Sequence, residues 1–173
     1  ASPDGSTLYF TDTPTGAILA FPLDRATGTL GNARTLFTYA APEHPDGATV
    51  DAEGFVWVGV IGGRRLDRIS ADGRVVGSIP LPVSRPTMPV FGGADLATLF
   101  VPSQRRFLSQ EALLHETMAG DLLALDASPQ PLRMRDLIFG PSVRAELASR
   151  GIETGVHYPI PCHLQEACRG LGY

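Results

Sequence analysis

Short apolar runs alternating with turn residues fill residues 1 to about 128. Thr7-Leu8-Tyr9-Phe10-Thr11 follows Asp4-Gly5, and Ala17 to Pro22 is the next predicted strand. Asp24 to Gly28 makes a turn before a strand at Arg34 to Tyr39. The pattern restarts at Asp51-Ala52-Glu53-Gly54, with strands at Val56 to Val60, at Leu66 to Ser70 and, past Asp72-Gly73, at Val75 to Pro80. It restarts again at Gly92-Gly93-Ala94-Asp95, leading to Leu99-Phe100-Val101 and later to Asp121 to Leu125. Apolar runs of this length between Gly, Asp and Pro clusters read as strands.

The aromatic strand centres Tyr9, Trp57 and Phe100 lie 48 and 43 residues apart. A turn-strand-turn-strand unit recurring every ~40–50 residues is the signature of propeller blades. A β-sandwich with coincidental spacing is the competing architecture. Three units are short of a closed ring, which takes at least about four blades. An open arc exposes blade faces and strand edges, so the chain reads as half of something larger.

The repeat is interrupted once and then ends. Ser109-Gln110-Glu111-Ala112-Leu113-Leu114 places an N-cap serine before good helix formers, predicting a short helix within an insertion at Ser109 to Ala119. After Pro129-Gln130-Pro131 the character changes. Ser142 to Arg150 predicts a helix stopped by Gly151, Glu153 to Tyr158 a strand, and His163 to Arg169 a second short helix. The expected organisation is an all-β region at 1–128, a junction at 129–132 and a short α/β C-terminal tail at 133–173.

Composition narrows the function classes. A 43% hydrophobic content with 19 Gly and 15 Pro suits a turn-rich β-protein. The net charge of −4 argues against a nucleic-acid partner. Arg64-Arg65 and Arg105-Arg106 are isolated pairs that read as solvated surface or local ion pairs. No apolar run approaches the ~20 residues of a membrane helix. All 14 basic side chains are arginine, which excludes a lysine Schiff base within this chain. The chain opens on Ala-Ser-Pro-Asp, without an initiator Met or a signal region, so it is expected to begin inside a longer, cytoplasmic protein. Two cysteines say little about redox compartment.

The chief candidate for chemistry is Asp46, in His44-Pro45-Asp46-Gly47. A carboxylate at the lip of a strand can ligate a divalent cation or act as general base toward a water. The competing reading is a Pro-Asp-Gly turn whose Asp bonds its own backbone. One carboxylate is also too few oxygens for a hard cation. Asp51 and Glu53 read as residues of the next turn, and His44 as a surface residue or a pocket lip. His157, Cys162, His163 and Cys168 fall within twelve residues, but their spacing lacks the paired, turn-spaced ligands of zinc sites. Ordinary packing or pocket lining competes with zinc there. Gly62-Gly63 and Gly92-Gly93 read as hairpin turns and not as phosphate loops.

SPDGSTLYFTDTPTGAILAFPLDRATGTLGNARTL, followed by HPDGATVDAEGFVWVGVIGGRRLDRISADGRVVGSIPLPVSRPTMPVFGGADLATLFV, resembles the regucalcin/gluconolactonase/luciferin-regenerating-enzyme family. The PDG, DAEG, GGR, LPV and FGG landmarks occur in order across residues 1–128. The resemblance implies a partial six-bladed β-propeller of about three blades. It also implies one axial divalent ion (calcium, zinc or manganese) and hydrolysis of sugar lactones or related esters. The family's metal ligands are an early Glu, an Asn before the SPDG-like turn and the PDG Asp. Only the last falls in this sequence, at Asp46, which the resemblance makes both metal ligand and catalytic residue. VPSQRR replaces the family's threonine-rich pattern after the third-blade strand.

The tail is similar to something else. RAELASRGIETGVHYPIPCHLQEACRGLGY resembles the C-terminal region of PLP-dependent nucleotide-sugar aminotransferases, where His157 and Tyr158 would shape a substrate pocket. No PLP is expected, because the chain has no lysine. Two families in one chain imply a fragment or fusion joined near Pro129 to Leu132.

The expected function is therefore metal-dependent hydrolysis of a small-molecule lactone, reduced or absent in this chain alone, with no nucleic acid and no membrane as partner. Two alternatives stand beside it. One is a non-catalytic β-propeller scaffold that self-associates through open blade edges. The other is an aminotransferase remnant.

Overall fold

A computed structural model of the chain describes residues 1–93 and 95–127 and the backbone at 133–134. These residues form three antiparallel sheets. The first is β1 (Thr7–Asp12), β2 (Ala17–Pro22) and β3 (Arg34–Thr38), in that spatial order. The second runs β4 (His44–Val50), β5 (Val56–Ile61), β6 (Arg65–Ile69) and β7 (Val75–Pro80). The third contains β8 (Val90–Gly92), β9 (Thr98–Pro102), β10 (Leu122–Asp126) and β11 (Arg133–Met134), again in sequential order. One short helix, α1 (Gln110–His115), interrupts the third sheet between β9 and β10. Among the described residues no helix is long and apolar enough to cross a membrane.

Sequential neighbours pair, most of them through short connections; the β2–β3 and β9–β10 connections are longer. The three aromatic centres Tyr9, Trp57 and Phe100 fall in β1, β5 and β9. The strand expected to begin at the lip marked by Asp46 starts earlier, at His44, and β8 was not anticipated. β4 contains Pro45 and Gly47, both poor strand formers, and β8 is only three residues long. Asp46 thus lies inside a strand and not in a Pro-Asp-Gly turn. Gly62-Gly63 and Gly93 do occupy hairpin connections, and α1 is capped by Ser109, whose side chain accepts from the Ala112 N–H.

β5 explains how the sheets stack. All six of its residues are buried. With a side-chain period of two, Val56, Val58 and Val60 enter one apolar core with Ile18, Ala20 and Leu36 of the first sheet. Trp57 points the other way, into a second core with Leu99, Val101, Leu123 and Leu125 of the third sheet. A strand covered on both faces must be apolar throughout, as this one is.

The second sheet is also clamped to the first by polar groups. Asp67 on β6 is 1% exposed, facing the first sheet as its neighbour Leu66 faces the third. Its carboxylate accepts from the Tyr39 hydroxyl at 2.9 Å, from Arg65 Nε at 2.9 Å and from Ser78 Oγ at 2.5 Å. Arg65 in turn forks onto Glu43 at 2.5 and 2.7 Å. Three donors on one buried carboxylate meet the requirement that a buried charge be paired and hydrogen-bonded.

The predicted tail helices and strand, and the zinc candidates His157, Cys162, His163 and Cys168, lie outside the described residues.

Candidate active site

Asp46 sits on a β-bulge. Pro45 pairs with Val60 and Ala48 with Val58, so three steps along β4 are matched by two along β5. Asp46 and Gly47 together stand opposite Gly59. A bulge of this kind bends the strand and re-aims a side chain, and it is a recurring device beside active sites. β4 is the edge strand of its sheet and packs against β1, β2 and β8. The carboxylate is therefore carried by the strand at which all three sheets meet.

Two glycines let the chain close over this point. At Gly47 an added Cβ would lie 2.6 Å from Met88 Cα, and at Gly59 it would lie 2.4 Å from the Thr87 carbonyl oxygen. Neither position has room for a side chain. The segment Arg85 to Met88 consequently lies directly against the bulge. Its backbone is held by Thr87 N–H donating to Pro102 at 2.8 Å and by Gln104 N–H donating to Arg85 at 3.0 Å.

Burial pushes the Asp46 carboxyl above its ordinary value. The Gly47 N–H, which donates to it, and the nearby Arg85 guanidinium oppose that rise without cancelling it. A carboxylate in this setting is a better proton acceptor than an exposed one.

The other candidates have settled partners. His44 precedes Asp46 on β4, half-buried, and its Nδ1 lies 3.0 Å from the Thr13 carbonyl. A carbonyl only accepts, so Nδ1 carries the proton and donates. Asp51 organises the β4–β5 turn: it accepts from the N–H groups of Glu53 and Phe55 at 3.0 and 2.9 Å, from Trp57 Nε1 at 2.9 Å and from Arg68 Nε at 2.8 Å. Glu53 pairs with Arg68. Both are turn residues, as expected. They line a cavity of about 800 Å³ at the far end of β4 from Asp46, where their carboxylates are already engaged. Large as it is, that cavity does not contain Asp46.

Arg85, Met88 and Phe107 were not among the sequence candidates. The first two reach Asp46 and Gly47 only because residues 84–88 cross from the second sheet to the third, and no local spacing reports such a crossing. Among the described residues no three His, Cys, Asp or Glu side chains come together to hold a metal ion. Asp46 contributes one carboxylate, which by itself does not make a site for a hard divalent cation.

Residues 1–105 match the family model described as the SMP-30/Gluconolactonase/LRE-like region. A 6-deoxy-6-sulfogluconolactonase of Pseudomonas putida is 38% identical over 125 residues, which are 71% of this chain and 43% of that protein. Regucalcin of Sus scrofa is 32% identical over 124 residues, covering 70% of this chain and 42% of that one. Among solved structures, a calcium-binding regucalcin from Agrobacterium tumefaciens superimposes with a TM-score of 0.69 at 31% identity, over 79% of this chain and 46% of that chain. A luciferin-regenerating enzyme gives 0.62 at 25% identity, over 79% and 46%. The chain spans a little under half the length of the relatives it matches. These relatives lend no support to the aminotransferase resemblance of residues 133–173.

Proposed function

The chain belongs to the SMP-30/gluconolactonase/LRE-like family, and from that premise we propose that it is the Asp46-bearing portion of a lactonase acting on a sugar lactone. Each of the three sheets is then one blade of a propeller, with β4 and β8 as inner strands beside the axis. The observation that carries this reading is the position of Asp46. It is half-buried, on a bulge in an edge strand, at the PDG landmark that the family resemblance marks as the site.

In this reading Asp46 takes a proton from an attacking water. The water oxygen bonds to the lactone carbonyl carbon, the ring C–O bond breaks, and the ring oxygen leaves with a proton as a hydroxyl. The product is an open-chain hydroxy acid. The Arg85 to Met88 segment lies against the bulge that carries the carboxylate, and the Gly47 N–H and the Arg85 guanidinium both favour its ionised form. A divalent ion remains part of the proposal, since a regucalcin relative is described as calcium-binding. The described residues do not complete a site for such an ion, and no step is routed through one here.

The test is hydrolysis of gluconolactone followed by acid release in a pH-stat, using the intact protein and its Asp46→Asn variant. Loss of a positioned general base lowers the rate by about 10²–10⁴-fold. An Asp46→Asn protein that opens lactones at the parent rate overturns the assignment.

A further inference from the structure

Arg85 differs from the arginines around it. Arg64, Arg65, Arg68 and Arg74 each pair with a carboxylate. Among the described residues Arg85 forms no ion pair, and its Nε is buried without any hydrogen-bond partner. The backbone that carries it is firmly placed. The Ser84 carbonyl accepts from Gly62 N–H at 2.8 Å and the Arg85 carbonyl from Gln104 N–H at 3.0 Å, so the backbone is tied on both sides.

A second observation lies beside the first. The Arg85 guanidinium carbon is 5.4 Å from the centroid of the Phe107 ring, and that of Arg106 is 4.6 Å from the same ring. Phe107 is 72% exposed and has φ of 66°, a left-handed conformation that a bulky residue rarely adopts. Strain of this kind in an exposed aromatic is a feature of ligand-contacting loops. Arg106 also forms no ion pair among the described residues. Two guanidinium groups thus converge on one solvent-facing ring; Arg85 feels the Asp46 carboxylate without pairing to it, and Arg106 has no ion pair among the described residues.

We infer that Arg85, Phe107 and Arg106 form a subsite for an oxyanion substituent on the substrate, so that the preferred lactone carries a carboxylate, sulfonate or phosphate away from its reacting carbonyl. This rests on the lactonase reading and narrows it. An oxyanion can accept from the two Arg85 Nη groups together, a two-pronged geometry that makes arginine selective for such groups, while the buried Nε stays out of a ligand's reach. Phe107 attracts both guanidinium groups through its ring and so holds them close to each other. The anion offsets the paired positive charges, whereas a neutral hydroxyl meets only part of the donor set.

The experiment compares kcat/KM for three lactones on the intact protein: neutral gluconolactone, a carboxylated sugar lactone and a 6-sulfonated one. The ratio of anionic to neutral kcat/KM is expected to fall about tenfold or more in Arg85→Gln, and less in Arg85→Lys, which keeps the charge but not the fork. Whichever anionic lactone shows the larger ratio identifies the oxyanion. Phe107→Ala, at an exposed position, is expected to lower the same ratio several-fold and serves if Arg85→Gln does not fold. A ratio within twofold of the parent in both variants overturns the subsite. If the parent opens no lactone at all, the lactonase reading fails separately. Calorimetric titration with glucose, glucuronate and glucose 6-phosphate then decides the subsite. Tighter binding of the charged sugars, lost in Arg85→Gln, upholds it, and equal binding of all three ends it.

Discussion

The Tyr39 hydroxyl donates to Asp67 Oδ2 at 2.9 Å across the gap between the first and second sheets. Tyr39 follows β3 and Asp67 lies on β6, yet both are buried, and each lacks an alternative partner in water. The bond therefore adds a buried directional contact to the apolar packing of the two sheets, beside the more exposed bonds from His44 to the Thr13 carbonyl and from Arg34 to the Ala71 carbonyl.

Tyr39→Phe removes the hydroxyl and leaves one oxygen of a buried carboxylate short of a donor. The expected destabilisation is about 1–3 kcal/mol, read from the midpoint of urea unfolding. Asp67→Ala is expected to cost more, because the Tyr39 and Ser78 hydroxyls and Arg65 Nε all lose their acceptor, Arg65 keeping only Glu43. A midpoint unchanged in both variants means that the Asp67 cluster adds nothing to the hold between the sheets.

The same cluster gives stability a defined pH dependence at each end. Arg65 holds the Glu43 carboxyl below its ordinary value, so this contribution is present above the unfolded carboxylate pKa and fades as pH falls through the folded one. Burial and the Asp67 charge raise the Tyr39 hydroxyl well above its usual range. Above about pH 10 the unfolded chain releases that proton while the folded chain keeps it, so stability falls as pH rises further. Thermal melts from pH 3 to 11 should show both losses, and Tyr39→Phe should remove the alkaline one.

Activity should follow Asp46 in its own way. Burial raises this carboxyl, and only the ionised form accepts a proton. The acid limb of a kcat/KM profile is therefore expected above the position of an exposed aspartate, with activity lost as pH falls through it. A limb at or below the ordinary aspartate value contradicts a buried general base.

Gly47→Ala tests the close approach of the two segments. Its Cβ would sit 2.6 Å from Met88 Cα, which is backbone and cannot rotate away. Overpacking of this sort costs about 1–3 kcal/mol. Lactone turnover is expected to drop as well, although Asp46 itself is untouched. Met88→Ala in the same background removes Sδ but not Cα, and so should restore only part of the loss.

Much of this fold is legible from the chain, and the exceptions have physical causes. The outer strands announce themselves because their apolar residues are bracketed by Asp-Gly and Gly-Gly turns. The turn role of Asp51 is legible for the same reason, being a local matter of one side chain and the next few N–H groups. The start of β4 escapes because Pro45 and Gly47 speak against a strand, and only pairing with β5 carries it back to His44. β8 is three residues long and gains its identity from β9. Asp46 stands out through a motif, but Arg85, whose charge acts on it, arrives from 39 positions away, by a chain crossing that no local pattern encodes.

The extra residue in β4 makes the location of the carboxylate a matter of counting. Excising one residue between Pro45 and Ala48 would let the two strands zip without interruption, and every position on the His44 side of the cut would rotate to the opposite surface. An aspartate could still be written there, but it would look outward. Substitution can thus retune this acid, whereas insertion or deletion relocates it, and lineages that keep the chemistry are bound to keep the length of this strand.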